Sequence, residues 1–368
     1  MVKEIIWYPG RTFNEFSLLT NLTTEKNVLT EIELSVRLSK YLKLDVPFLS
    51  AAMGSVTGNE LCIELGKIGG IGILPSKYPS EVQSKIISDI KNKYGANIKV
   101  GSAISTYPGW DKRVIANIEA GVDLLVIDTS DAYNTFTKEV IEKYKSKDYK
   151  VPLCVGNVIT YDGAMYLMEA GADIIKIGMS SGSICTTQRE KATGRAPMTA
   201  LLKVAKARDD YFKKTGRYIP LIVDGGISSA ADMIIALTIS DCIMMGGYFN
   251  HFYETAAPKL DINEKHTTDE SKMHYVETWG EGSEKARNLG RYGHTQRKTF
   301  FAEGAEGVIP YRGRLKPYLE RDITKIKAAL SNAGCKNLEE FRKNSVIELN
   351  SPHTSKIVST THNIKEKK

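Results

Sequence analysis

Cysteine is sparse in this chain. Five residues, Cys62, Cys154, Cys185, Cys242 and Cys335, are spread through 368 positions. Their number is odd and no CxxC pair occurs, so neither a disulfide framework nor a zinc site of paired cysteines is indicated. Any special cysteine acts alone. Long apolar runs are missing too: nothing approaches the roughly 20 residues that a membrane-spanning helix needs, and Met1 to Thr12 lacks the apolar stretch of a secretory signal. A cytoplasmic protein without membrane contact is the expectation. There is also no long basic block. The formal charge is +7, part of it in the tail Lys365 to Lys368 and the rest diffuse, which gives no sign of nucleic-acid binding but suits the steering of small anions such as nucleotides. With 42% hydrophobic and 25% charged residues, disorder, collagen-like repeats and coiled coil are excluded as the main architecture.

What is present is an alternation. Short β-branched runs at 46–49, 71–74, 98–101, 124–127, 151–155, 174–177, 219–223 and 242–245 are separated by amphipathic helical patterns at 59–67, 82–93, 113–120, 137–144, 163–170, 198–213 and 231–239. Near-continuous apolar strands between helices signal a parallel sheet covered on both faces, and eight such units close into a (β/α)8 TIM barrel. The competing α/β arrangement is a doubly wound open sheet, but no strand is followed by GxGxxG with an acidic residue about 20 positions on. The last helix, 318–330, is delayed after the eighth strand by roughly 70 residues, far beyond an ordinary βα loop. The expectation is one catalytic barrel over 1–368, with a flap at about 250–310.

Barrel active sites lie at the C-terminal ends of the strands. After the sixth run comes Gly178-Met179-Ser180-Ser181-Gly182-Ser183-Ile184-Cys185-Thr186-Thr187. Cys62, Cys154 and Cys242 sit inside apolar patterns and read as small buried hydrophobes. Cys185 stands in a polar loop where backbone N–H groups can stabilise a thiolate, the nucleophilic form; a chance loop cysteine is the competing reading. Runs seven and eight end in Asp224-Gly225-Gly226 and Gly246-Gly247, at the two loops where barrels most often hold a phosphate through backbone amides, although tight turns need glycine too. Asp224 is placed to accept both hydroxyls of a ribose, or to cap the helix that follows.

Taken in order, Thr12-Phe13-Asn14-Glu15, Gly156-Asn157-Val158, Gly182-Ser183-Ile184-Cys185-Thr186-Thr187, Asp224-Gly225-Gly226, Gly280-Glu281-Gly282-Ser283 and Glu303-Gly304-Ala305-Glu306-Gly307 resemble the inosine-monophosphate (IMP) dehydrogenase and GMP reductase family. The resemblance implies a barrel assembled as a homotetramer, in which Cys185 adds to C2 of the purine while NAD accepts, or NADPH donates, hydride at that carbon. It further implies that Ser183, Gly226 and Gly247 hold the 5′-phosphate, and that Ser50 and Gly246 also belong to the nucleotide site. Asp224 would take the ribose diol, and Glu303 with Glu281 and Gly282 the base. Asp128, Thr129, Ser130 and Asn157 would contact the nicotinamide riboside, and carbonyls of Ser180, Gly182 and Cys185 would hold a potassium ion, hard ligands for a hard cation.

The two branches of the family differ in the flap. The dehydrogenase must hydrolyse a covalent thioimidate and carries an Arg-Tyr pair for it; Arg291-Tyr292, eight residues past Ser283, matches that pair, with Thr187 sharing the proton being moved. The resemblance therefore implies an NAD-dependent oxidation of IMP to XMP, in guanine nucleotide synthesis. Against it, only Pro75 to Asn97 lies where most dehydrogenases insert a regulatory CBS module between strands 2 and 3, a shape shared with the NADPH-dependent reductase, which converts GMP to IMP and ammonia. Gln188 follows the CTT where arginine is usual, Thr278 stands where a phosphate-contacting tyrosine is common, and Ser180 replaces a loop glycine. A catalytically silent nucleotide-binding barrel is the third reading.

Overall fold

All eight apolar runs form strands: β1 (Phe48–Ser50), β2 (Ile71–Leu74), β3 (Lys99–Ile104), β4 (Leu124–Asp128), β5 (Leu153–Val158), β6 (Ile174–Ile177), β7 (Leu221–Asp224) and β8 (Cys242–Met245). Each is hydrogen-bonded in parallel to the next, and β8 returns to β1 with Ile243 opposite Phe48, closing an eight-stranded barrel. The structure, a computed structural model, describes residues 5–182, 184–288, 301–352 and 354. Strand ends depart from the sequence reading for local reasons. β1 and β7 start after Pro47 and Pro220, which have no N–H to offer a ladder. β3 runs on through Gly101-Ser102-Ala103 to Ile104, where small residues carry little strand signal yet are fully enclosed.

The helices between the strands are α1 (Asn59–Lys67), α2 (Ser80–Tyr94), α3 (Trp110–Glu119), α4 (Thr135–Lys145), α5 (Tyr161–Ala170), α6 (Thr187–Lys191), α7 (Pro197–Thr215) and α8 (Ala230–Leu237). Their starts are chemically marked. Asn134 and Thr160 accept the Thr137 and Gly163 N–H groups, Ser229 and Asp232 form a reciprocal capping box, and Pro197 opens α7 where a missing N–H costs nothing. All but the short polar α6 bury an apolar face against the barrel, such as Leu61, Cys62 and Leu65 in α1. Between β2 and β3 the chain makes only α2 and a 3-10 turn, Gly95–Asn97.

The expected flap is more than a loop. After β8 the chain builds a three-stranded antiparallel sheet from β9 (Lys259–Leu260), β10 (Tyr275–Trp279) and β11 (Glu306–Pro310), with a small core of Ala257, Val276, Trp279 and Ala286. A short helix, α9 (Glu284–Asn288), follows β10, and α10 (Leu315–Asn332) and α11 (Leu338–Asn344) complete the fold. Phe16–Leu18 pairs antiparallel with Ile347–Leu349, joining the two ends of the described chain. Among the described residues no helix is long and apolar enough to cross a membrane.

Candidate active site

A cavity opens at the C-terminal ends of the strands. Its walls include Asp128 at the end of β4 with Thr129 and Ser130 after it, Asn157 in β5, the loop Gly178 to Gly182 with Ile184, Cys185 and Thr187 after β6, and Asp224 and Gly225 at the end of β7. Glu281, Gly282 and Glu303 from the inserted sheet cover one side. Residues separated by 175 positions in the chain, Asp128 to Glu303, thus share one cavity because every βα loop of a closed barrel emerges at the same end.

Cys185 is exposed, and its Sγ shares a hydrogen bond with Thr187 Oγ1 at 3.2 Å. The other four cysteines are buried. Burial alone pushes the Cys62 thiol up to about 12; at Cys154 burial leads, Lys176 opposes it and Asp128, Asp224 and Asp173 add to it, again to about 12, and burial leads in raising Cys242 and Cys335 as well. Cys185 is stitched to the insertion by backbone bonds: Thr186 N–H donates to Glu303 O at 2.9 Å, Ala305 N–H to Ile184 O at 2.9 Å, and Cys185 forms a bridge with Gly304. Gly304 also lies so close to Gly280 that a Cβ on it would meet the Gly280 Cα at 3.1 Å. The Glu303 carboxylate accepts from Lys191 Nζ at 3.3 Å, and Glu281 accepts from the Gly54 N–H.

Sequence reasoning overlooked the group that organises the floor. Lys176, the third residue of β6, is 1% exposed, and its Nζ donates to Asp128 Oδ1 at 2.8 Å, to Asp224 Oδ2 at 2.7 Å and to Asn157 Oδ1. Burial alone lowers a lysine, but the two carboxylates outweigh it and hold this ammonium above its ordinary range. Asn157 Nδ2 in turn donates to Asp224 Oδ2 at 3.2 Å. An irregularity between Val155 and Val158 in the β5–β6 ladder turns Asn157 toward this cluster. Gly156 is needed there: a Cβ on it would meet Lys176 O at 2.5 Å. The available signal was a lone lysine inside the apolar run Ile-Ile-Lys-Ile.

Other expected residues fall elsewhere. Ser50 is fully buried in the barrel wall, its hydroxyl bonded to Thr57 Oγ1 at 2.8 Å, and so offers no surface to a ligand in this conformation. Gly226 opens onto a neighbouring hollow lined by Asn14, Gln188 and Arg195, while Gly246 and Gly247 follow β8 and lead into a 3-10 turn. Thr278 lies in β10 opposite Gly307, its hydroxyl taken by the Asn250 amide. Ser183, Arg291 and Tyr292 lie outside the described residues. What the cavity brings together is an exposed thiol beside a hydroxyl, two carboxylates tied to one ammonium, and two further glutamates. Such a set can add sulfur to an electrophilic ring while carboxylates accept the ligand's hydroxyl and ring N–H groups.

A family model described as the IMP dehydrogenase / GMP reductase domain matches residues 10–362. The chain is similar to the inosine-5′-monophosphate dehydrogenase of Tritrichomonas foetus, 40% identical over 256 residues that make up 68% of this chain and 48% of that protein. It is similar to the enzymes of the same name from Borreliella burgdorferi, 28% identical over 91% of this chain and 92% of that one, and Cryptosporidium parvum, 25% identical over 92% of each. The chain therefore spans about half the length of the first relative and nearly all of the other two.

Proposed function

Because the chain belongs to the IMP dehydrogenase / GMP reductase family, we propose that it oxidises IMP to XMP with NAD, a step of guanine nucleotide synthesis. The observation that carries the reading is the exposed Cys185 thiol, bonded to Thr187 and facing the same cavity as Asp224, Asp128 and Glu303. The Cys185 thiolate adds to C2 of the purine; the hydrogen at C2 leaves with its electron pair, and a thioimidate remains on sulfur. NAD, when bound against Asp128, Thr129, Ser130 and Asn157, supplies the acceptor for that hydride. Water then attacks C2, the C–S bond breaks, and the sulfur returns as thiolate.

Asp224 accepts the ribose hydroxyls, and Glu303 with Glu281 and Gly282 accepts from the base. The 5′-phosphate falls to Ser183, Gly226 and Gly247, with Gly246 beside them. For the hydrolytic step, Arg291 takes the proton of water with Tyr292 and Thr187. A guanidinium is normally a poor base, so this role demands close placement against both hydroxyls.

Potassium fits the loop chemically. Cys185 N–H donates to Gly182 O at 3.1 Å, which brings together the backbone of two of the residues proposed to hold the ion. Carbonyls of Ser180, Gly182 and Cys185 would hold the ion and brace the nucleophile's loop. We assign the rest of the reading to the same proposal: one catalytic domain without a CBS insertion, a homotetramer, and a cytoplasmic location.

Absorbance at 340 nm, followed with IMP plus NAD and then with GMP plus NADPH, tests the reaction. NADH formation in the first mixture is the expected result. Turnover in the second alone would make the chain a reductase, and none in either would leave a silent nucleotide-binding barrel.

A further inference from the structure

We propose that Lys176 is a positioning residue that ties the nucleotide half of the site to the dinucleotide half. The inference rests on the reading above, which gives Asp224 to one ligand and Asp128 to the other.

An ammonium has three N–H donors, and burying one away from water is costly unless each finds an acceptor. Lys176 meets that condition with nothing to spare. Its partners are Asp128 Oδ1 on β4, Asn157 Oδ1 on β5 and Asp224 Oδ2 on β7, so four neighbouring strands are joined at one nitrogen. The lysine is 1% exposed and lies beneath the cavity, whereas Asp128, Asn157 and Asp224 all line it. It therefore acts on a ligand only through the groups it holds.

What it does to them follows from charge. Two carboxylates within hydrogen-bond reach of the same nitrogen are close enough to repel each other, and the ammonium between them offsets that repulsion. The ammonium fixes one oxygen of each, which sets the direction in which each carboxylate meets the cavity. Asn157 closes the circuit by accepting from Lys176 and donating to Asp224. A buried ion pair that only held the barrel together would have no reason to choose the carboxylates of both half-sites.

The test is a comparison of Michaelis constants. Lys176→Met should raise KM for IMP and KM for NAD together, each by roughly tenfold or more, the scale of a lost charge-assisted hydrogen bond. Lys176→Arg, which keeps the charge, should recover most of both. The alkylation rate of Cys185 serves as the fold control and should stay near wild type. A Lys176→Met enzyme in which one KM or neither moves overturns the proposal, as does a double increase that arginine does not relieve. Should the methionine variant fail to fold, Lys176→Gln carries the same comparison, because it removes the charge yet keeps polar atoms at the site. Wild-type oxidation of IMP tests the functional reading separately. If the wild type does not turn over, calorimetric titration with IMP and with NAD replaces kinetics: parallel loss of both affinities in Lys176→Met supports the role, and unchanged affinities overturn it. A wild-type chain that binds neither ligand overturns both readings.

Discussion

At the scale of single residues, the five thiols divide four to one. Burial pushes Cys62 and Cys154 up to about 12 and raises Cys242 and Cys335, while Cys185 stands exposed beside Thr187. A thiol reagent at pH 8 should therefore modify one equivalent in the folded protein, and peptide mass spectrometry should find it on Cys185. Cys185→Ala should abolish both labelling and turnover while leaving IMP binding in place, because the ribose and phosphate contacts come from other loops; substantial residual turnover would remove the nucleophile from the reading. Cys62→Ala should instead cost about 1 kcal/mol of stability in urea unfolding and spare kcat, since it only trims the core under α1. Cys185 was legible in the sequence because it interrupts a polar Gly-Ser loop that has no apolar face to join. Lys176 was not. A single lysine in a four-residue apolar run looks like an outward position at a strand end, and its two carboxylates lie 48 residues away on either side, a pairing that only barrel closure reveals.

At the scale of elements, the sequence carried the order of strands and helices but not the sheet inside the insertion after β8. β9 and β10 are short and half polar, and β11, which pairs with β10, follows only after residues 289–300, so no hairpin signal links them. That sheet is joined to the Cys185 loop through Gly280 and Gly304, which touch backbone to backbone. Gly304→Val should force the two apart and lower kcat by about tenfold or more, with a melting temperature close to wild type because the barrel core is untouched; unchanged kcat would mean that the insertion does not hold the nucleophile's loop. The same region offers a pH test. Lys259 at the start of β9 is lowered to about 8, by burial first and against the pull of Glu60 and Glu254. The unfolded lysine titrates near 10.4, so between these values the unfolded chain binds more protons and stability rises with pH. Lys259→Met removes that burden. Its stability relative to wild type in urea should be greatest below pH 8 and should shrink as pH climbs toward 10.5; a difference constant across that range would show that Lys259 is not charged at a cost.

At the scale of the whole molecule, the closed barrel places every candidate loop at one rim, and that much followed from the alternation of eight apolar runs with helices. The detailed walls did not follow. Ser50 was expected to meet the nucleotide and instead bonds Thr57 inside the wall, because strand alternation at so short a run as Phe48–Ser50 leaves its facing undetermined. The connection from β2 to β3 holds one helix and one 3-10 turn, so the described structure supplies no second nucleotide-binding domain between those strands. Inhibition by purine nucleotides should accordingly be competitive with IMP and hyperbolic, and sigmoidal inhibition by GTP or ATP would reveal a further site. Closure also sets an order of events during synthesis on the ribosome. Seven of the eight seams join strands that emerge one after another, but the last joins Phe48 to Ile243, which leaves the ribosome roughly 200 residues later. Until then β1 has an open edge that any other apolar strand could occupy. The defence is brevity: three residues, bounded by Pro47, present too few free N–H and C=O groups to template a neighbouring nascent chain.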